Sequence, residues 1–173
     1  KAALNIGADT LIEDFKAMGF GEEIPFELNL TSSTYDDDDS IDSDIQLADT
    51  GYGQGQLLVN PVHMLSMYSL FVNEGSMIQP TLLYQDGYTG KIWKENVFSA
   101  DAAETVKNDL IQVIENPSGT GASARIDGVS LLGKTGTAEI KDSQTDTDGI
   151  ERGWFICETA GDTDTPIAVV GMV

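Results

Sequence analysis

The chain holds a single cysteine, Cys157, among 173 residues. No internal disulfide can form, and Cys157 with the one histidine, His63, cannot by themselves complete a zinc site. Cations are also scarce: nine Lys and Arg stand against 29 Asp and Glu, a formal charge of −20. Such a surface repels phosphate backbones and anionic membranes, so nucleic acid is not expected as a partner. No apolar run approaches the roughly 18 residues of a spanning helix, and the first residues show neither a basic stretch nor the apolar core of a signal peptide. With 40% hydrophobic residues, there is enough apolar side chain for one globular, soluble domain. No internal repeat and no second domain are visible.

What is present reads as helices first and strands last. Lys1 to Ile6 resembles the last turns of a helix whose beginning is absent, ending at Gly7. Thr10 and Glu13 have capping-box spacing ahead of a short amphipathic helix carrying Leu11, Phe15 and Met18, with Gly19 suited to the C′ position. Residues 31 to 44 combine hydroxyls with clustered acids, including Asp36 to Asp39, and predict a solvated loop. Asn60-Pro61 predicts a capped helix start, and the apolar run from Val62 to Val72 ends near Gly75. Leu82–Tyr84 and Lys91–Trp93 flank the turn-like 86–90 and predict a hairpin. Ser99 predicts the cap of a helix bearing Ala103, Val106, Leu110, Val113 and Ile114, stopped at Asn116-Pro117.

From Leu131 onward the pattern changes. Residues 131 to 140, 152 to 158 and 167 to 173 are strand-like and separated by polar loops, which predicts three antiparallel strands. The fold class expected is α+β, with helices (residues 1–130) packed on an antiparallel sheet (residues 131–173). The final Val170-Gly-Met-Val173 lies inside an apolar strand, so this end, like the first, is expected to be a cut.

Lys134-Thr135-Gly136-Thr137 opens the first of those strands. An ammonium and a hydroxyl beside a glycine, on a strand that can bind an extended peptide by its main chain, form a carboxylate-holding edge. K-T-G is one of three signatures of penicillin-binding proteins and serine β-lactamases. The likeness extends to Gly51-Tyr-Gly-Gln-Gly-Gln56, Asn60-Pro61-Val-His63, Asn73-Glu-Gly75, Gln79-Pro80, Leu132 to Glu139 and Gly153-Trp-Phe155. In order and spacing these resemble the transpeptidase domain of class B penicillin-binding proteins, nearest to the low-affinity, resistance-associated Gram-positive type.

The resemblance implies an enzyme that takes an acyl group from a D-Ala-D-Ala stem peptide, passes it to a neighbouring strand's amine, and is acylated by β-lactams. It implies that Lys134 and Thr135 help bind the substrate carboxylate, that Gly136 allows close approach, and that the Thr137 backbone N–H is one of two oxyanion-hole donors. The other donor and the nucleophilic serine belong to S-x-x-K, which no serine here satisfies; S-x-N is absent too. The chain is therefore expected to be the C-terminal portion of one transpeptidase domain, catalytically inert alone because a nucleophile and its base are missing. Its expected partners are peptidoglycan stem peptides, β-lactams, the missing part of the same domain and, through unpaired apolar faces, a second copy of itself. The expected location, by family, is the outer face of the bacterial cell membrane. No cofactor and no metal are expected. A non-catalytic peptidoglycan- or protein-binding module is the alternative, and a calcium-binding acidic module a second one.

Other features have simpler readings. Gln144 to Gly149 resembles part of an EF-hand loop but lacks acids at its first and twelfth positions, Gln144 and Phe155, and predicts a hairpin loop. His63 is expected to pack or cap, Cys157 to be buried on a strand, and Trp154 and Phe155 to belong to the core. Gly119 to Ala124 has dinucleotide-fingerprint glycines but follows Pro117 rather than a strand, so it predicts a turn near the cleft.

Overall fold

The computed structural model describes residues 1–84, 86–140, 149–161 and 163–173. Among the described residues, five α-helices and five strands run in chain order: α1 (Ala2–Ile6), α2 (Ala8–Ala17), α3 (Asp44–Thr50), α4 (Pro61–Tyr68), β1 (Met77–Ile78), β2 (Ile92–Lys94), α5 (Ala100–Glu115), β3 (Leu131–Ile140), β4 (Ile150–Thr159) and β5 (Ala168–Met172). The mixed helical and antiparallel architecture expected from the sequence is the one observed.

Strands β3, β4 and β5 form one antiparallel sheet in that order. The β3–β4 register pairs Lys134 with Ile156, Gly136 with Trp154 and Thr137 with Gly153. Helix α5 lies against β3, buries Leu110 and Ile114, and is started by the Ser99 hydroxyl, which accepts the Ala102 N–H. Leu132 is fully buried beside Leu110 and Ala160, with Tyr68, Phe71 and Ile111 around them. Each such aliphatic side chain stabilises by about 1.5–3 kcal/mol. Helix α4 starts as its sequence predicts: Asn60 Oδ1 accepts the Val62 N–H, Pro61 takes the first helical position, and a 3-10 turn at Ser69–Phe71 prolongs it.

The second apolar cluster sits under the N-terminal helices: Ala3, Phe15, Phe20, Tyr35, Ile41 and Leu47. Tyr35 contradicts the solvated-loop expectation for residues 31 to 44, being 1% exposed. Its ring stacks on Phe15 at 5.3 Å between centroids, and its hydroxyl donates to the Asp39 carbonyl. Two apolar residues, Tyr35 and Ile41, pin this otherwise polar stretch to the core, while residues 37–39 and 42–44 stay exposed. Asp36, expected to face water, is also buried; it accepts hydrogen bonds from the Asp38 N–H and the Gln46 side-chain amide.

Three further expectations are corrected. Helix α2 begins at Ala8, not after Thr10, because Gly7 turns the chain directly out of α1 with φ 90° and leaves no room for a cap at Thr10. Helix α3 was not expected, although Ser43 and Gln46 have cap spacing and the Ser43 hydroxyl accepts the Gln46 N–H. Ile92–Lys94 is a strand, but it pairs with Met77–Ile78 instead of Leu82–Tyr84. The Glu27 carboxylate accepts both the Thr81 hydroxyl and the Leu82 N–H, which takes that backbone group away from a strand partner. The helical portion 1–130 thus contains a two-stranded sheet. The EF-hand-like stretch lies, at 144–148, outside the described residues.

Candidate active-site edge

The direction of each backbone group on β3 follows from β4. Gly153 exchanges both of its backbone hydrogen bonds with Val173, at 2.9 and 3.0 Å, so its N–H and C=O face β5's side of the sheet. In an antiparallel ladder its partner Thr137 is then in a non-hydrogen-bonded pair, and both Thr137 backbone groups point away from β4. The same parity turns Gly133 and Thr135 outward. Among the described residues no strand covers that side of β3, so Thr135 and Thr137 present donors and acceptors at an open edge, whereas Gly133 is buried.

The side chains along this edge are partly engaged. Lys134 Nζ donates to the Thr135 carbonyl at 2.7 Å. One of its three N–H donors is used, and two stay available to an anion. The Thr135 hydroxyl lies 2.8 Å from the Thr120 hydroxyl, which comes from the turn after α5. With Thr120 as the donor, Thr135 keeps its own O–H for a ligand. The Gly119–Ala124 turn therefore does reach β3, as expected. Gly119 is required there, since a Cβ would stand 2.3 Å from the Val113 carbonyl oxygen. On the other side, Gln54 Nε2 donates to the Thr137 carbonyl at 3.3 Å.

Gly133 and Gly136 differ in what they need. A Cβ on Gly133 would meet the Ile156 carbonyl oxygen at 2.7 Å and Ile114 at 3.0 Å, so packing excludes a side chain. A Cβ on Gly136 would meet only the Trp154 Cβ, at an ordinary 3.4 Å. The fold leaves space at Gly136 that the fold does not use.

The other sequence-marked residues take structural places. His63 is fully buried; its Nε2–H donates to the Met18 carbonyl and its Nδ1 accepts from the Ser33 hydroxyl, both at 2.8 Å. That tautomer follows from the carbonyl, which can only accept. Its ring lies between Phe20 and Trp93, and burial lowers its pKa. Cys157 is half-buried on β4, where burial first and the Glu158 charge second push the thiol up. Trp154 and Phe155 are half-buried too; Trp154 lines a groove of about 450 Å³ with Gln54, Leu57, Pro61, Ala138 and Arg152.

Sequence reasoning missed Glu158. This β4 carboxyl is 4% exposed, its Oε1 has no hydrogen-bond partner, and burial drives its pKa up to about 8. It borders a cavity of about 670 Å³ together with Ser66, Ser69, Gln79 and Ile167. The only available signal was an acid at an alternate position of the apolar run Trp154–Thr159. Gln54 and Thr120 were quoted only as parts of glycine-bearing stretches, since contacts spanning 83 and 15 residues leave no local trace.

Among the described residues no group of three or more His, Cys, Asp or Glu is placed to hold a metal ion, and no helix is long and apolar enough to cross a membrane.

Comparison with known proteins identifies the family of this chain. The chain is 41% identical over 154 residues to penicillin-binding protein 3 of Bacillus subtilis, covering 89% of this chain and 23% of that protein. It is 28% identical over 148 residues to a peptidoglycan D,D-transpeptidase FtsI homolog of Mesostigma viride, covering 70% of this chain and 24% of that one. The chain thus spans about a quarter of the length of these relatives. A crystal structure of PBPA from Mycobacterium tuberculosis shares the fold, with a TM-score of 0.75 at 20% identity, over 98% of this chain and 38% of that one. The sequence profile described as penicillin binding protein transpeptidase domain matches residues 1–173, and the chain belongs to that family.

Proposed function

We propose that this chain is the C-terminal portion of a D,D-transpeptidase domain that cross-links peptidoglycan stem peptides, and that it supplies the K-T-G wall of the cleft. The observation that carries the reading is the open edge of β3, with outward-facing Thr135 and Thr137 backbone groups beside the Lys134 ammonium. A D-Ala-D-Ala terminus, or a β-lactam mimicking it, would lie along this edge as an extra strand. Lys134 and the Thr135 hydroxyl would hold its carboxylate, and the Thr137 N–H would meet the oxyanion as the carbonyl becomes tetrahedral. Gly136 would let the ligand backbone approach.

The serine that attacks and the base that takes its proton are absent from these residues, so the chain alone would not be acylated. The low-affinity type and a position outside the cell membrane are parts of the same reading. So is self-association of the isolated chain through its exposed apolar strand residues.

Intact mass after incubation with a reactive penicillin tests the proposal. The chain alone is expected to keep its mass, whereas the full-length protein carrying it gains one adduct that Lys134→Ala suppresses. A stoichiometric serine adduct on the chain alone would overturn its inertness. No adduct on the full-length protein would sink the transpeptidase reading.

A further inference from the structure

We infer that Gln54 is a positioning residue for the oxyanion edge of β3, a role that rests on the transpeptidase reading. Gln54 stands between Gly53 and Gly55, whose φ values of 85° and 73° are disfavoured for any residue with a Cβ. Space does not explain these glycines: a Cβ on Gly53 would meet nothing within 4 Å, and one on Gly55 only the Asp49 Cβ at 3.5 Å. They shape the loop instead. The Gly53 N–H donates to the Thr50 carbonyl and the Gln54 N–H to the Asp49 carbonyl, which fastens the loop to the end of α3. From that anchor the Gln54 side chain crosses to β3 and donates to the Thr137 carbonyl.

The bonded carbonyl belongs to the residue whose N–H faces the same open edge. Rotation of the strand at Thr137 moves both groups together, so Gln54 fixes the direction of a donor it does not touch. The carboxylate-holding groups, Lys134 and Thr135, lie further along the strand and do not depend on it. Loss of Gln54 therefore acts on the step in which charge develops on the substrate oxygen, and leaves ground-state binding alone.

Acylation by a reporter penicillin, followed by stopped flow on the full-length protein carrying this chain, tests the role. Gln54→Leu is expected to slow the acylation rate constant about tenfold with an unchanged dissociation constant. Gln54→Glu keeps the shape but loses the donor when ionised, and regains an O–H donor as the pH falls through about 4.3. Its rate relative to wild type should rise towards low pH, while the Gln54→Leu ratio stays flat; a role in packing alone would not separate the two. Equal rates for wild type and both variants would overturn the inference about Gln54. A wild type that forms no penicillin adduct would instead overturn the transpeptidase reading beneath it.

Discussion

A buried carboxyl with an unpartnered oxygen sets the pH response of this protein at the level of single residues. The folded state holds the Glu158 proton more tightly than the unfolded chain, since burial raises its pKa from 4.5 to about 8. Stability from this group is fully present below about pH 4.5 and is lost as the pH rises through about 8. Glu158→Gln cannot ionise. Its unfolding free energy in urea should match wild type near pH 4.5 and exceed it near pH 8.5, by on the order of 2 kcal/mol; a difference that is the same at both pH values would reject the account. His63 works with the opposite sign. Burial lowers its pKa, so its contribution is present above the ordinary value of 6.5 and is lost as the pH falls through the folded value. Ser33 ties this ring down, because its hydroxyl donates to His63 and accepts the Asn60 N–H that opens α4. Ser33→Ala orphans both partners and should cost about 1–3 kcal/mol in thermal or urea unfolding; a change within about 0.5 kcal/mol would mean that water replaces the hydroxyl.

At the scale of elements, the fold makes different demands on two glycines of β3, Gly133 and Gly136. Gly133→Ala would drive a methyl into the Ile156 carbonyl and Ile114, and should destabilise by about 1–3 kcal/mol. Gly136→Ala meets only an ordinary contact, so its unfolding midpoint should stay near wild type while penicillin acylation of the full-length protein falls. Loss of folding in Gly136→Ala would make that glycine structural too. Strands β3 to β5 and the long helices were legible because their signals are local: apolar and β-branched segments between polar loops for β3 to β5, Ser99 and Asn60 for the starts of α5 and α4. What escaped the sequence depends on distant partners. Tyr35 is buried by Phe15, twenty residues away, the strand partner of Ile92 was displaced once Glu27 captured the Leu82 backbone, and Gln54 meets Thr137 only after the chain has folded. The K-T-G residues were legible as a pattern, but their outward backbone direction required the β4–β5 pairing to be known.

Over the whole molecule, the dominant opposition is between uncovered apolar surface and charge. Ile167, Val169, Met172 and Val173 are all more than half exposed on or beside β5, an outer strand of the three-stranded sheet. An outer strand with apolar side chains and open backbone groups invites pairing with another chain. A formal charge of −20 opposes it, since two copies repel at every separation shorter than the screening length. That length falls from about 10 Å at 0.1 M salt to about 3 Å at 1 M. Salt should therefore promote self-association of this chain rather than dissolve it. Light scattering or sedimentation across concentration should give the monomer mass, 18.5 kDa, at low ionic strength and a rising average mass in molar salt. Val169→Lys, which places a cation on β5 at an exposed position, is expected to keep the protein monomeric in both. A monomer at every salt and protein concentration would mean that the exposed strand finds no partner in its own kind, and that its apolar residues are too few to overcome the ordering of two chains.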